Sequence, residues 1–122
     1  MSDPVEVIGK YVAAWNELDP PKRDGLLADS LASDGVYLDN SYRADGPQAL
    51  STLIQTFMTE SLPGGSIVLI TNVDAHDGFA RFSWAANDAS GTEVLIGTDF
   101  VHFNHDGLIQ KIVGFYGPLT SR

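Results

Sequence analysis

The apolar residues of this chain change period once, and that change limits the folds open to it. Before Pro63 they recur at helical spacing. From Ser66 onward they alternate, in four runs broken by His76-Asp77-Gly78, Asp88-Ala89-Ser90-Gly91 and Asn104-His105-Asp106-Gly107. Such clusters are hairpin punctuation, and consecutive hairpins build an antiparallel meander. The predicted strands are 66–76, 79–88, 92–104 and 108–116. Helices first and strands after give an α+β domain whose helices pack on one face of a curved sheet.

In the helical half, Asp3 can cap a helix that Pro4 opens, with Glu6 placed to reach back. Val5, Ile8, Tyr11, Val12, Trp15 and Leu18 follow as its apolar stripe. Asp19-Pro20-Pro21 ends that helix and starts a short second one carrying Leu26, Leu27 and Leu31. Ser33-Asp34-Gly35 reads as a turn, Val36-Tyr37-Leu38 as a strand ending at Asp39, and 40–46 as a loop. Pro47 begins a third helix with Leu50, Leu53, Ile54, Phe57 and Met58 in register, which Pro63-Gly64-Gly65 stops. No repeat or linker interrupts the 122 residues, so 1–122 is read as one domain.

Composition removes whole classes of function. The net charge of −9 and only seven scattered Lys and Arg residues argue against nucleic acid. With no Cys and three His, disulfides, thiolate chemistry and a protein-bound metal are not expected. His102 and His105 should point apart along a strand end, and His76 belongs to a turn. There is no glycine-rich phosphate loop and no Gly-x-Ser-x-Gly elbow. No apolar run approaches the ~20 residues of a membrane span, and Met1-Ser2-Asp3-Pro4 lacks a leader pattern, so a cytoplasmic location is expected.

The informative polar residues sit among apolar neighbours. Asp99 shares a strand face with Leu95, Val101 and Phe103, where desolvation would favour its protonated form and make it a donor to an oxyanion. It could instead pair with Arg81. Asp39, closing its strand, could project into a cavity as a general base, or form an Asx turn with Asn40 and Ser41. Tyr11 would bury its ring and need a partner for its hydroxyl. Apolar residues on both strand faces predict a homodimer through the sheet, or a ligand on the second face.

Taken in order, several segments resemble the nuclear transport factor 2-like superfamily, in its SnoaL-like and ketosteroid-isomerase-like branch. They are Tyr11-Val12-Ala13-Ala14-Trp15-Asn16, Ser33 to Asp39, Gly46-Pro47, Thr98-Asp99-Phe100-Val101-His102-Phe103-Asn104 running through Asp106-Gly107-Leu108-Ile109, and Gly114-Phe115-Tyr116-Gly117. The resemblance implies a cystatin-like cone, a curved antiparallel sheet wrapped round about three N-terminal helices, that admits a small apolar molecule. It implies a steroid delta-isomerase-like isomerase or SnoaL-like cyclase that abstracts a proton next to a carbonyl without a cofactor. Asp39 would then be the base, with protonated Asp99 and Tyr11 as the oxyanion donors. Trp15, Phe57, Phe82, Trp84 and Phe115 would contact the substrate. The alternative is a non-catalytic module for binding a small apolar ligand or for dimerisation.

Overall fold

Asp3 starts the first helix as its sequence predicts. Its carboxylate accepts from the Val5 N–H at 3.0 Å, and α1 runs Pro4–Asn16. The computed structural model describes residues 3–122, so Met1 and Ser2, where the leader expectation begins, lie outside it. The buried stripe of α1 is Val7, Ile8, Tyr11, Ala14 and Trp15. Val5 and Leu18, expected in that stripe, are exposed, because they lie at the very start of α1 and beyond its end. Helix α2 (Pro20–Ala28) is tied to α3 (Pro47–Thr56) through buried Arg23, which donates to Ser51 Oγ and Gln55 Oε1, each at 2.9 Å. Past Thr56 the chain widens into one π-helical turn, Phe57–Ser61, closed by the Leu62 N–H on the Phe57 carbonyl. Among the described residues no helix is long and apolar enough to cross a membrane.

Seven strands form one curved, unclosed sheet: β1 (Leu31–Leu38), β2 (Arg43–Asp45), β3 (Ser66–Leu69), β4 (Asp74–His76), β5 (Phe79–Asn87), β6 (Glu93–Phe103) and β7 (Ile109–Tyr116). The order is β2-β1-β7-β6-β5-β3, with β4 also on β5. The meander is antiparallel as its turns predict, and β1 adds one parallel pair with β7. A period-two pattern is the same for both pairings, so that detail was not in the sequence.

Three local differences have physical causes. Leu31, expected in the second helix, opens β1 instead. Ser33-Asp34-Gly35 is part of β1, within a register shift that falls between Leu31 and Val36. The run 66–76 divides because the Thr71 hydroxyl, in place of a backbone carbonyl, accepts the Ser83 N–H at 2.9 Å and bends the edge. Residues 43–45, read as loop, pair with β1.

Helices pack on the concave face, where Ile8, Leu27, Leu50, Ile54, Ile109 and Ile112 are fully buried. One polar splice fixes α1 to the sheet edge. The Asn16 amide donates to the Ile67 carbonyl (2.8 Å) and accepts the Ile67 N–H (2.7 Å). Asn16→Ala should therefore destabilise the fold by about 1–3 kcal/mol in urea titration. Amide exchange at Ile67 should accelerate with it.

Candidate functional site

Strand alternation decides what enters the cone. On β6, Leu95, Gly97, Asp99, Val101 and Phe103 face inward, while Val94, Ile96, Phe100 and His102 face out. Asp99 is 4% exposed and thus a carboxylate within a hydrocarbon wall. It opens on a cavity of about 190 Å³ that it shares with Tyr11 and Asp39. Trp15, Phe57, Phe82 and Trp84 line the same space. Phe115 does not: adjacent residues on a strand face opposite ways, so it lies on the outer surface, edge-on to Phe100 at 6.3 Å, and Tyr116 lines the cavity instead.

Two glycines hold Asp99 in place. Trp84 stands opposite Gly97, where any Cβ would collide with the indole, so the ring lies flat against β6. From there Trp84 Nε1 donates to Asp99 Oδ1 at 2.9 Å. Opposite Asp99 on β7 is Gly114, where a Cβ would lie 2.6 Å from Asp99 Oδ1 and 3.6 Å from the Asp39 Cβ. Both acidic side chains therefore converge over one residue with no side chain of its own. A glycine inside a strand marks such a close approach, and that signal was present in the sequence.

The two carboxylates differ in their partners. Asp39 Oδ1 accepts the N–H groups of Ser41 (2.7 Å) and Tyr42 (2.8 Å), so the Asx turn forms, and Oδ2 accepts the Tyr37 hydroxyl. Asp99 has the one donor on Oδ1, and among the described residues its Oδ2 takes no hydrogen bond. Arg81, a possible partner for Asp99, lies outside the cone and pairs with Asp74 at 2.8 Å. Burial raises the Asp99 pKa to about 6; the Trp84 N–H opposes this and the Asp39 charge adds to it. At that value most of Asp99 is ionised at pH 7, so the expected protonated donor is a minority form there. Burial and then the Asp99 charge push the Tyr11 phenol well above its usual value, so it stays a donor. Tyr37 is raised in the same way, chiefly by burial.

Sequence reasoning missed Tyr37 as the group that holds Asp39, although period two puts residues 37 and 39 on one face. It also missed how the mouth is built. The Asn40 side chain bonds both the N–H (3.1 Å) and the carbonyl (3.3 Å) of Tyr116, and Ser41 Oγ bonds the Tyr116 hydroxyl. His76 and His105 are exposed, and His102 stacks on Phe79 outside the cone. Among the described residues no three His, Asp or Glu side chains gather as a metal site.

The raised pKa makes a stability prediction. Folded Asp99 binds its proton more tightly than the unfolded chain does. Its contribution is intact below about pH 4 and is lost as pH rises through about 6. The loss amounts to roughly 3 kcal/mol. Asp99→Asn keeps the acceptor for Trp84, so it should be more stable than wild type in urea at pH 7.5 by about 1–3 kcal/mol. The gain should be smaller at about pH 4.

No family model matches the chain, and no curated protein matches it. Solved structures do. A protein of the SnoaL-like family from Agrobacterium tumefaciens, named as a candidate isomerase, is 33% identical over 97% of this chain and all of its own, with a TM-score of 0.88. A protein of unknown function with a cystatin-like fold from Methylobium petroleophilum is 24% identical, over 95% of this chain and 76% of its own, at a TM-score of 0.75. A structure from Jannaschia, named as a candidate SnoaL-like polyketide cyclase, is 11% identical, over 95% and 90%, at 0.68. The last two show a shared fold.

Proposed function

The chain belongs to the SnoaL-like family, and on that premise we propose that it is a cofactor-independent isomerase or cyclase that moves a proton at a carbon next to a carbonyl. One observation carries this reading: a buried carboxylate, raised to about 6, with an unpartnered oxygen opening on a mainly apolar cavity that also holds a phenol. An acid–base group works best with a pKa near the working pH, and Asp99 meets that condition.

The roles differ from those the resemblance implied. Asp39, fixed by three donors, acts as a stationary charge, and Asp99 is the proton carrier. Its free oxygen removes the proton from the carbon acid, and the electron pair moves onto the carbonyl oxygen. There the Tyr11 hydroxyl stabilises the enolate. Asp99 then returns the proton at another carbon in an isomerisation. In a cyclisation the enolate carbon attacks a second carbonyl, and the new alkoxide takes the proton. The space suits a molecule of about one to two rings, since a 150 Å³ cavity already accepts benzene. A non-catalytic module would use the buried carboxylate for ligand recognition alone, and it would show no exchange in the following test.

Hydrogen–deuterium exchange at the α-carbon of a small cyclic ketone, followed by NMR, tests the reading. Asp99→Asn should lower the rate about 10²–10⁴-fold and Tyr11→Phe about 10²–10³-fold. Wild-type kcat/KM should rise with pH through about 6 as Asp99 ionises. Trp84→Phe removes a donor to the ionised form, so that rise should move to higher pH. An Asp99→Asn rate equal to wild type would sink the proposal.

The outer face of the sheet supports a homodimer. Phe79, Val94, Ile96, Phe100 and Phe115 are 44–59% exposed there, an apolar area unusual on a monomer. Ile96→Asp should give a monomer in sedimentation at concentrations where wild type sediments as a dimer.

A further inference from the structure

The walls of the cavity carry a second, independent signal. Eight of its fifteen lining residues have aromatic rings, two are aspartates, and none is Lys, Arg or His. The Trp15 ring meets Tyr37 at 51° and Phe57 at 84°, with centroids 5.8 and 5.9 Å apart. The three planes therefore form a corner and not a stack. A ring face carries negative charge and attracts cations, most strongly when water is excluded. None of the chain's seven Lys and Arg residues lines the cavity, and three of them are committed elsewhere: Arg23 between the helices, Arg43 on Asp45, Arg81 on Asp74. The cavity is thus negative, aromatic and without a counter-charge.

We infer that the natural ligand is a small organic cation, a carbonyl compound that also bears a protonated or quaternary amine. The carbonyl half of this statement rests on the proton-transfer reading above; the ammonium half rests on the cavity walls alone. Charge balance joins the two. When Asp99 takes the proton it becomes neutral, and the negative charge passes to the enolate oxygen. Asp39 remains charged nearby, and the site supplies only neutral donors to that oxygen. An ammonium within the substrate, close to the carbonyl, offsets the enolate and acidifies the intervening C–H. The same walls would repel a carboxylate or phosphate of equal size, and the net charge of −9 steers cations inward.

The test uses two isosteres, acetonyltrimethylammonium and methyl neopentyl ketone, which differ by a nitrogen cation in place of a quaternary carbon. Calorimetry at about pH 8, where Asp99 is ionised, should show the ammonium bound about tenfold more tightly or better. Asp39→Asn and Asp99→Asn should each erode that preference and leave binding of the neutral ketone intact, which also reports that the variants keep their cavity. Equal affinities, tighter binding of the neutral ketone, or no binding of either at millimolar concentration overturns the inference. Failure of the proton-transfer reading would look different. The ammonium would still be preferred, while deuterium would fail to exchange into the methylene of both compounds.

Discussion

Asp99 enters a hydrophobic interior because its own strand and the neighbouring β7 each give way with a glycine. Gly97 lets the Trp84 indole lie against the backbone and aim its N–H at the carboxylate, and Gly114 leaves the opposite side clear. One hydrogen bond then holds a group that water would normally hold with several. The imbalance is what raises its proton affinity, and the rest of the cone serves to maintain it. Asn16 fixes α1, which supplies Tyr11 and Trp15, and the π-helical turn presents Phe57 to the same space. A widened turn in a helix is frequently found where function needs a side chain re-aimed.

The two carboxylates show how one fold gives equal residues unequal surroundings. Asp39 sits at a strand end, where backbone N–H groups are free to donate, and it gathers three partners. Asp99 sits mid-strand, where every neighbouring amide is engaged in the ladder, and it has one. Position in the sheet, together with burial, leaves one carboxylate with three donors and the other with one.

Much of this was legible in the chain. The switch of period at Ser66, the glycine-bearing turns and the Pro47 helix follow from residue types whose local preferences agree with the fold. The inward face of β6, and with it Asp99 beside Leu95 and Val101, follows from alternation. Placement of β1 beside β7 did not follow, because parallel and antiparallel strands share one pattern. Phe115 was assigned to the cavity by residue type, although alternation from Gly114 and Tyr116 puts it outside. The upward shift expected of Asp99 follows from its buried face, but no pattern shows that an indole N–H will meet it. The roles of Gly97 and Gly114 were readable as glycines in strands, but residue type does not show that an indole and two carboxylates fill the room they leave.

The strap across the mouth has a consequence for biosynthesis. Asn40 holds Tyr116 by both main-chain groups, and the two lie 76 residues apart. The rim is thus assembled from the first strand and the last, and a growing chain can form its helices and early hairpins long before the rim exists. Until the ribosome has released Tyr116, Asp39 stands at an open edge and Asp99 has no Gly114 beside it. The cavity therefore takes its finished shape only after its helices and early hairpins have formed.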